Sequence, residues 1–567
     1  MNVRVRRGRP WQRGPLAMFG VLAWLATYAI GCDAPPVDDE EPFDPSTYAD
    51  GSEPLFEPTR LLEVALTLEP DDWETLGREG RTLQAGSCAE IANGPQDYDY
   101  TYFPAELSID GEDLETVGVR KKGYIGSLTV TTPSLKVDFD RFGGEPEQLG
   151  LGRLTLNNNK QDASKVRQCL TYELFRKAGV PAPRCNFARV TVNGDSLGTY
   201  SNVESIGRRF LRRHFADASG NLYEGQNGSD LLADTIDWFE LKTNESQPDR
   251  GDLAALAKAL TASDDDLLEA LSPHLDVDRF LTYWAMEALT ASWDSYSTLA
   301  NNFWLYRDPD SGFVFIPWGT DATLNESGLV GGTRQQHVST DSILSKRLYA
   351  LPEVRDRYYE RLRMLLDEVW DVDAILGRID ELSDLLDDAD PAGLDQIRSF
   401  VRKRRKLIEA ELEEGKADFV SGQICFNRGL PVSGTFQGYW GGGDGESSLS
   451  IEVDGTPVPL MAPRVSASMG ASPVVPGAPG ITLSARTQDD KPLSIIFSVE
   501  GPLFSSGVIP FHGSSIIGLL TTPTALGLED VSLAMISEGS IELTEAGMED
   551  GDVIAGSFSG RIYAAEL

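Results

Sequence analysis

Histidine and cysteine are scarce in this chain of 567 residues. It has four histidines and five cysteines, with no CxxC pair and no His/Cys spacing typical of a zinc ligand set. A zinc site or a histidine-centred catalytic triad is therefore not expected. The cysteines beyond Cys32 are Cys88, Cys169, Cys185 and Cys425, an even number that permits two disulfides in an oxidising compartment. We favour the pairing of Cys169 with Cys185.

Basic residues are also few, with 50 lysines and arginines against 88 acids. Without residues 1–31, which contain five arginines and no acid, 45 basic residues remain and the net charge is −43. Such a surface repels nucleic acid, so no nucleic-acid partner is expected. Two local basic clusters are interpreted as solvated helix faces: Arg208, Arg209, Arg212 and Arg213, and the run from Arg402 to Lys406.

Only one apolar run approaches the length of a membrane span, and it lies between Leu16 and Ile30. Five arginines precede it and Gly31 and Cys32 follow, an arrangement that resembles a bacterial lipoprotein signal. The alternative, an uncleaved anchor, is less favoured because the run is short for a bilayer. We expect residues 1–31 to be removed and Cys32 to carry acyl chains. The protein would then be extracytoplasmic and held at the membrane of the cell envelope by lipid.

The composition divides the rest of the chain into three parts. Residues 32–58 are acidic and rich in proline, which predicts a disordered linker. Residues 59–420 alternate strand-like runs with amphipathic helices, and the dipeptides Asp110-Gly111 and Asn193-Gly194 predict hairpin turns. Residues 428–567 carry short alternating runs with Gly, Ser and Pro between them, typical of a small antiparallel β-sandwich.

The segment from Ser292 to Leu324 is the richest in candidate metal ligands. It places the carboxylates of Asp294 and Asp321 around the consecutive amides Asn301 and Asn302. Hard oxygen ligands at this density suit a magnesium–phosphate site.

The order of several motifs resembles the spore-coat CotH kinase family over roughly residues 60–415. These motifs are SLKVDF, the run from LTLNNNK through VNGDSLGTY to SNVES, DSYSTLANNFWLY and FIPWGTD. The resemblance implies an α+β fold of the atypical protein-kinase type with two lobes. It also implies transfer of phosphate from ATP, with Mg²⁺ or Mn²⁺, to serine or threonine of a coat or surface protein. The linker and the C-terminal domain lie outside it.

Within this resemblance each candidate residue has an expected role. Asp321 follows a strand-like run and would bind metal, and Asn302 or Asn301 would add a neutral oxygen. Asp294 would orient the acceptor hydroxyl or bind a second metal.

On the donor side we expect Lys136, on the strand SLKVDF, to contact the phosphates, with Glu204 as its ion-pair partner. Arg120 and Lys122 lie in a glycine-rich segment, 117–128, that would cover the phosphates, although a plain hairpin explains the segment equally well.

Two departures motivate a competing function. Members of the family commonly carry W-D-x-D where this chain has Gly319 in place of the first acid. In addition, ATP is scarce outside the cytoplasm. The alternative is a catalytically weak adhesion or assembly lipoprotein with a kinase fold. A third hypothesis, carbohydrate binding by the C-terminal domain, rests on fold analogy and on exposed aromatic candidates such as Tyr439 and Trp440.

Overall fold

The computed structural model describes residues 44–80, 100–123, 129–143, 149–226, 228–246, 248–325, 337–415, 425–443, 445–471, 478–511, 516–520, 522, 526 and 534–566. The chain divides into two units, 1–43 and 44–567, and every described residue belongs to the second. Cys32 and Cys88 lie outside the described residues. Within the described ranges, no helix has both the length and the apolar character needed to cross a membrane.

The first part of the described chain is a closed seven-stranded sheet. Its strands are β1 (Leu61–Thr67), β2 (Phe103–Ile109), β3 (Glu112–Lys121), β4 (Leu135–Asp138), β5 (Arg153–Asn157), β6 (Cys185–Val192) and β7 (Asp195–Val203). They pair in the order β1-β2-β3-β4-β5-β7-β6, and β6 returns to pair with β1 in parallel. Alternate residues such as Leu62, Val64 and Leu66 point inward and form a core of their own.

Both predicted hairpin turns are present. Asn193 and Gly194 have φ values of 52° and 90° between β6 and β7, and Asp110 and Gly111 have 53° and 81° between β2 and β3. Two successive left-handed residues match the right-handed twist of a hairpin, and Asn-Gly and Asp-Gly adopt this conformation readily. The dipeptides therefore fix where these strands reverse.

The second part combines a four-stranded sheet with most of the helices. The strands β8 (Leu222–Glu224), β9 (Glu240–Leu241), β10 (Phe303–Asp308) and β11 (Gly312–Pro317) pair in the order β11-β10-β8-β9. The helices of the described chain are α1 (Pro70–Arg78), α2 (Arg167–Lys177), α3 (Arg208–His214), α4 (Gly251–Ala259), α5 (Leu267–Leu271), α6 (Val277–Leu289), α7 (Tyr296–Leu299), α8 (Ile343–Ala350), α9 (Pro352–Glu368), α10 (Val372–Leu385) and α11 (Pro391–Glu414). The largest apolar core runs between these helices and strands.

Helix α2 joins the two parts. The predicted disulfide between Cys169 and Cys185 is confirmed and ties this helix to β6. The helix begins at Arg167, and the Asp162 carboxylate in the preceding loop accepts the Arg167 backbone N–H at 2.8 Å.

The predicted disorder of the linker does not hold for residues 44–58. Leu55 and Phe56 are buried in the core of the closed sheet, and the Asp50 carboxylate lies 3.0 Å from Arg213. Two apolar side chains and one buried ion pair are enough to order a short acidic segment. Arg213 is thus an ion-pair partner rather than part of a solvated face.

The basic run from Arg402 to Lys406 also differs from its predicted solvated face. Arg404 is only 2% exposed, and its Nε donates to the Leu289 carbonyl at 3.1 Å while a terminal nitrogen donates to Ala288. Both carbonyls are at the end of α6, where the negative end of the helix dipole attracts a cation. Arg402, by contrast, is exposed.

The C-terminal domain is all β. Its strands are β12 (Cys425–Trp440), β13 (Ser448–Val453), β14 (Thr456–Pro457), β15 (Leu460–Met469), β16 (Pro479–Thr487), β17 (Pro492–Val499), β18 (Gly507–Pro510), β19 (Ile516–Leu520), β20 (Ala534–Ala546) and β21 (Val553–Glu566). They form one connected sheet around one core, instead of the two separate sheets of the predicted sandwich. The pairings run β12-β15-β16-β17-β19-β20-β21 and return to β12, because the long strands β12 and β21 each pair with neighbours on both sides.

The aromatic pair proposed for carbohydrate binding is not an exposed platform. Trp440 is buried in the C-terminal core and packs edge-on against Phe504, with ring centroids 5.3 Å apart. Tyr439 is half-buried. The carbohydrate hypothesis therefore loses the observation on which it was based.

Candidate functional site

The candidate site is built around the β10–β11 hairpin. Phe303 of β10 pairs with Pro317 of β11, so the residues just outside the hairpin are neighbours. The Trp318 N–H donates to the Asn302 carbonyl at 3.1 Å. Gly319 follows with φ +55°, and a Cβ on this residue would lie 2.5 Å from Asn302 Oδ1. The amide of Asn302 thus occupies space that a side chain at position 319 would need.

Asp294 lies against Asn302 and its neighbour Asn301. Asn301 Nδ2 donates to one carboxylate oxygen at 2.8 Å, and Asn302 Nδ2 donates to the other at 2.8 Å. Burial raises the pKa of Asp294 to about 6, and the negative charge of Asp321 adds to the increase. The two amides oppose this shift because they hydrogen-bond the charged form.

Backbone strain is concentrated in the loops that carry these residues. Ala291, Ala300, Asn302 and Leu324 are non-glycine residues with φ between 47° and 54°. Left-handed conformations of this kind cost free energy and persist only where surrounding contacts impose them. One such contact is the hydrogen bond from the Leu324 N–H to the Thr290 carbonyl at 2.8 Å.

Asp321 lies in a single 3-10 turn, Thr320–Ala322, directly after β11, and it is buried. Asn157 Nδ2, at the end of β5, reaches one of its oxygens at 3.5 Å and the Gln168 side-chain oxygen at 3.0 Å. Helix α2 also holds the turn, since the Thr171 and Thr323 hydroxyls are 2.6 Å apart. The closed sheet and α2 together position this carboxylate.

Asn157 and Gln168 were not predicted as site residues. Both are buried polar side chains, and their contacts join β5, α2 and the turn after β11. The only signal in the sequence is the run of three asparagines that begins at Asn157, and nothing local links it to residue 321.

The predicted cations lie on β3, on β4 and just beyond the end of β3. Arg120 and Lys136 are opposite each other in the β3–β4 register. Burial lowers the pKa of Lys136 to about 8, and the charge of Glu224 opposes that shift. Burial also lowers the pKa of Lys122, and the charge of Asp321 is the strongest influence that raises it. Lys122 is therefore within the electrostatic influence of Asp321. Of the proposed glycine-rich cover, residues 124–128 lie outside the described residues.

The predicted pair of Lys136 with Glu204 is wrong. Glu204 is buried beside two arginines, with its carboxylate 2.8 Å from Arg184 and 3.3 Å from Arg213. The acid whose charge acts on Lys136 is Glu224, at the end of β8, which is also 2.9 Å from Lys242. Local sequence patterns could not show that the charge of Glu224, on β8, acts on Lys136 of the closed sheet.

Glu287 is a further buried acid next to Asp294. It comes from α6 and accepts the backbone N–H groups of Tyr296 and Ser297, each at 3.2 Å. Burial raises its pKa to about 7. These two hydrogen bonds hold the start of the short helix α7. Glu287 also lines a small cavity together with Asp294, Asn302 and Gly319.

The oxygen donors of this site are of the chemical kind that suits a magnesium ion. Among the described residues, no group of three or more His, Cys, Asp or Glu could hold a metal by itself. Magnesium commonly takes only one or two carboxylates and completes its shell with water and phosphate oxygens. Asp321 supplies such a carboxylate, and the amide oxygen of Asn302 faces the adjacent Gly319.

A family model described as CotH kinase protein matches residues 119–407, just over half of the chain. The chain belongs to the CotH kinase protein family. The matched range includes every site residue described above, from Arg120 to Asp321, and excludes the C-terminal sheet and residues 44–58.

Curated relatives of this CotH kinase family chain come from bacteria and fungi. Inner spore coat protein H of Bacillus subtilis is 27% identical over 247 residues, which are 41% of this chain and 66% of that protein. Invasin CotH7 of Rhizopus delemar is 30% identical over 163 residues, 27% of each chain. The chain thus spans between about a quarter and two thirds of these proteins. The Bacillus subtilis inner spore coat protein H-like protein is 24% identical over 327 residues, 55% of this chain and 96% of that one.

Among solved structures, the chain is similar to the crystal structure of the Helicobacter pylori proinflammatory kinase CtkA. The identity is 10% and the TM-score is 0.28, over 57% of this chain and 95% of the other. A TM-score at this level carries no structural argument.

Proposed function

We propose that this protein is a CotH-type kinase that transfers phosphate from ATP, with Mg²⁺ or Mn²⁺, to serine or threonine of a surface or coat protein. The observation that carries the proposal is that Asn157 reaches Asp321 at 3.5 Å, while the charge of Asp321 acts on both Asp294 and Lys122. These residues come from separate segments of the chain. Phosphoryl transfer needs this combination of a metal-binding carboxylate, a cation for phosphate and an acid near the acceptor. A kinase-like division into two lobes, with the closed sheet as one of them, is part of the same proposal.

Each residue then has a role in the transfer. Asp321 and the Asn302 amide oxygen would hold the divalent ion, which when bound neutralises charge on the phosphates. Lys122, Lys136 and Arg120 would bind the phosphate oxygens. With a pKa of about 8, Lys136 is mostly protonated at neutral pH.

Asp294 would accept the proton of the acceptor hydroxyl. With a pKa of about 6 it is mostly ionised at pH 7, yet it is a stronger base than an ordinary aspartate. Asn301 and Asn302 fix the plane of its carboxylate.

We further propose that acyl chains on Cys32 hold the protein at the membrane of the cell envelope, facing away from the cytoplasm. The charge distribution and apolar run of residues 1–32 support this location. The relatives named as spore coat proteins and invasins support a coat or surface protein as the substrate.

The test is transfer of label from gamma-labelled ATP by the purified protein with Mg²⁺ or Mn²⁺. Asp321→Asn should reduce labelling by roughly a hundredfold or more, because it removes a charge that holds the metal. Asp310→Asn is the matched control, since Asp310 is exposed at the opposite end of the same hairpin. Equal labelling by wild type and Asp321→Asn would refute the proposal.

A catalytically weak adhesion or assembly protein is the second candidate. It is favoured by Gly319, where the family pattern has an acid, and by the two asparagine amides that already bind both oxygens of Asp294. Calorimetry with ATP and Mg²⁺ separates the candidates. Binding at micromolar to millimolar concentration supports the kinase, and no detectable heat supports the adhesion protein.

A further inference from the structure

The C-terminal domain contacts the kinase-family part of the chain through a buried carboxylate. Glu500 follows β17 and is 6% exposed. Its two oxygens accept the Val130 N–H at 2.8 Å, the Thr131 N–H at 3.5 Å and the Thr131 hydroxyl at 3.3 Å. A carboxylate that accepts backbone N–H groups forms the stronger, charge-assisted class of hydrogen bond.

The contacted turn is itself rigidly built. The Thr129 hydroxyl accepts the Thr132 N–H at 3.2 Å and lies 3.0 Å from the Thr132 hydroxyl. The Thr132 carbonyl accepts Asn158 Nδ2 at 2.7 Å, and the Pro133 carbonyl accepts the Tyr200 hydroxyl at 3.1 Å. Moving this turn would therefore also move residues on β7 and at the end of β5.

From the turn, hydrogen bonds continue to the candidate site along two routes. In one, the Ser134 carbonyl accepts the Lys122 N–H at 2.9 Å. In the other, the Ser134 hydroxyl donates to Asn157 Oδ1 at 3.3 Å, and Asn157 Nδ2 reaches Asp321 at 3.5 Å. The two routes end at the cation and the carboxylate proposed for phosphate and metal.

A buried lysine strengthens the same contact. Lys121 Nζ donates to the Gly77 and Glu79 carbonyls at 2.7 and 2.8 Å, and the negative charge of Glu500 is the largest of those that act on it. Glu500 thus accepts two backbone N–H donors, and its negative charge attracts the buried ammonium group of Lys121.

We infer that Glu500 is a positioning residue: the C-terminal domain, through the turn at Val130 and Thr131, holds Lys122 and the Asn157–Asp321 pair in their working arrangement. The effect on catalysis rests on the proposed kinase function, whereas the coupling between the two domains does not. The inference gives the C-terminal sheet, which lies outside the family match, a role in the site.

Hydrogen–deuterium exchange of the full-length protein tests the coupling without reference to activity. Glu500→Ala should speed exchange roughly tenfold or more in peptides that cover residues 129–135, and also in peptides that cover 119–123 and 153–158. Glu452→Ala is the matched control, because Glu452 is an exposed acid on β13 of the same domain. It should leave all these peptides unchanged.

Nucleotide affinity tests the consequence for the site. Glu500→Ala should weaken Mg–ATP binding about fivefold or more, a normal size for coupling between sites. Glu500→Gln keeps the volume of the side chain, and Thr131→Val removes one contact from the other domain. Both variants should change exchange and affinity in the same direction as Glu500→Ala, but by a smaller factor. If Glu500→Ala does not fold, these two variants provide the test.

The outcomes are distinguishable. If wild type does not bind Mg–ATP but exchange spreads from the turn to 153–158, the kinase proposal fails and the coupling stands. If wild type binds Mg–ATP and the Glu500 variants change neither affinity nor exchange beyond residues 129–135, the contact only docks the domain and the inference is overturned.

Discussion

At the residue scale, the absence of a side chain at Gly319 leaves room for the amide of Asn302. The φ of +55° at Gly319 is a conformation that residues with a Cβ adopt at a cost, and a Cβ would lie 2.5 Å from Asn302 Oδ1. An aspartate introduced here to match the family pattern would meet the same contact. The Asn302 amide can keep its place against Asp294 because position 319 has no side chain.

We predict that Gly319→Ala lowers the free energy of unfolding by about 1–3 kcal/mol and reduces Mg–ATP affinity, since Asn302 must move away from Asp294. Denaturant unfolding and calorimetry measure the two effects. Gly377→Ala is the control, because Gly377 lies within α10 and its Cβ would meet no atom within 4 Å. Equal effects of the two substitutions would contradict this explanation.

Glu287 predicts a pH dependence of stability. Burial raises its pKa from 4.5 to about 7. Between these two pH values the folded protein keeps a proton on Glu287 that the unfolded chain has released. The resulting stabilisation is complete below about pH 4.5 and is lost as the pH rises through 7, a change on the order of 3 kcal/mol.

Urea unfolding at several pH values, compared between wild type and Glu287→Gln, measures this term. The stability of wild type relative to the variant should fall between pH 5 and pH 8. The exposed Glu360→Gln on α9 should show no such trend. A constant difference between wild type and Glu287→Gln across this range would show that Glu287 does not titrate there.

Which site residues the sequence could predict depended on their separation along the chain. Asp294, Asn301 and Asn302 are within nine residues of one another, so one loop brings them together. Asn157 is 164 positions from Asp321, and its role depends on the pairing of β5 within the closed sheet. Glu224 likewise acts on Lys136 only through the tertiary fold, so the sequence pattern pointed to Glu204 in its place.

At the scale of elements, Arg404 links α11 to the loop that carries Asp294. It donates to the carbonyls of Ala288 and Leu289 at the end of α6, five residues before Asp294. Its helix, Pro391–Glu414, carries mixed charge, and mixed charge on a helix does not reveal which cation turns inward. Arg404 is buried because α11 packs against the end of α6, and local sequence patterns do not show how these two helices pack.

We predict that Arg404→Ala lowers the free energy of unfolding by about 2–4 kcal/mol, because it takes the guanidinium donor away from the Leu289 carbonyl and removes the packing of the side-chain stem. Arg402→Ala, an exposed neighbour, should change it by less than about 0.5 kcal/mol. Thermal and denaturant unfolding measure both variants. A small effect of Arg404→Ala would mean that water replaces the guanidinium at the end of α6.

At the scale of the whole molecule, local patterns predicted strands and turns more reliably than the way domains are assembled. The runs between residues 428 and 567 are strands as expected, but their closure into one circuit depends on how far β12 and β21 extend past their first partners. Glu500 has no sequence signal either, because its partners at Val130 and Thr131 lie some 370 positions earlier.

The net charge makes the proposed lipid anchor important. A body with a net charge of −43 is repelled by anionic lipid, so membrane association should depend on acyl chains at Cys32 and not on the protein surface. In a bacterial host grown with labelled palmitate, wild type should carry label and sediment with membranes. Cys32→Ser should lose the label and remain in the supernatant, whereas Cys88→Ser should behave as wild type. Membrane sedimentation of Cys32→Ser would show that the apolar run between Leu16 and Ile30 is an uncleaved anchor.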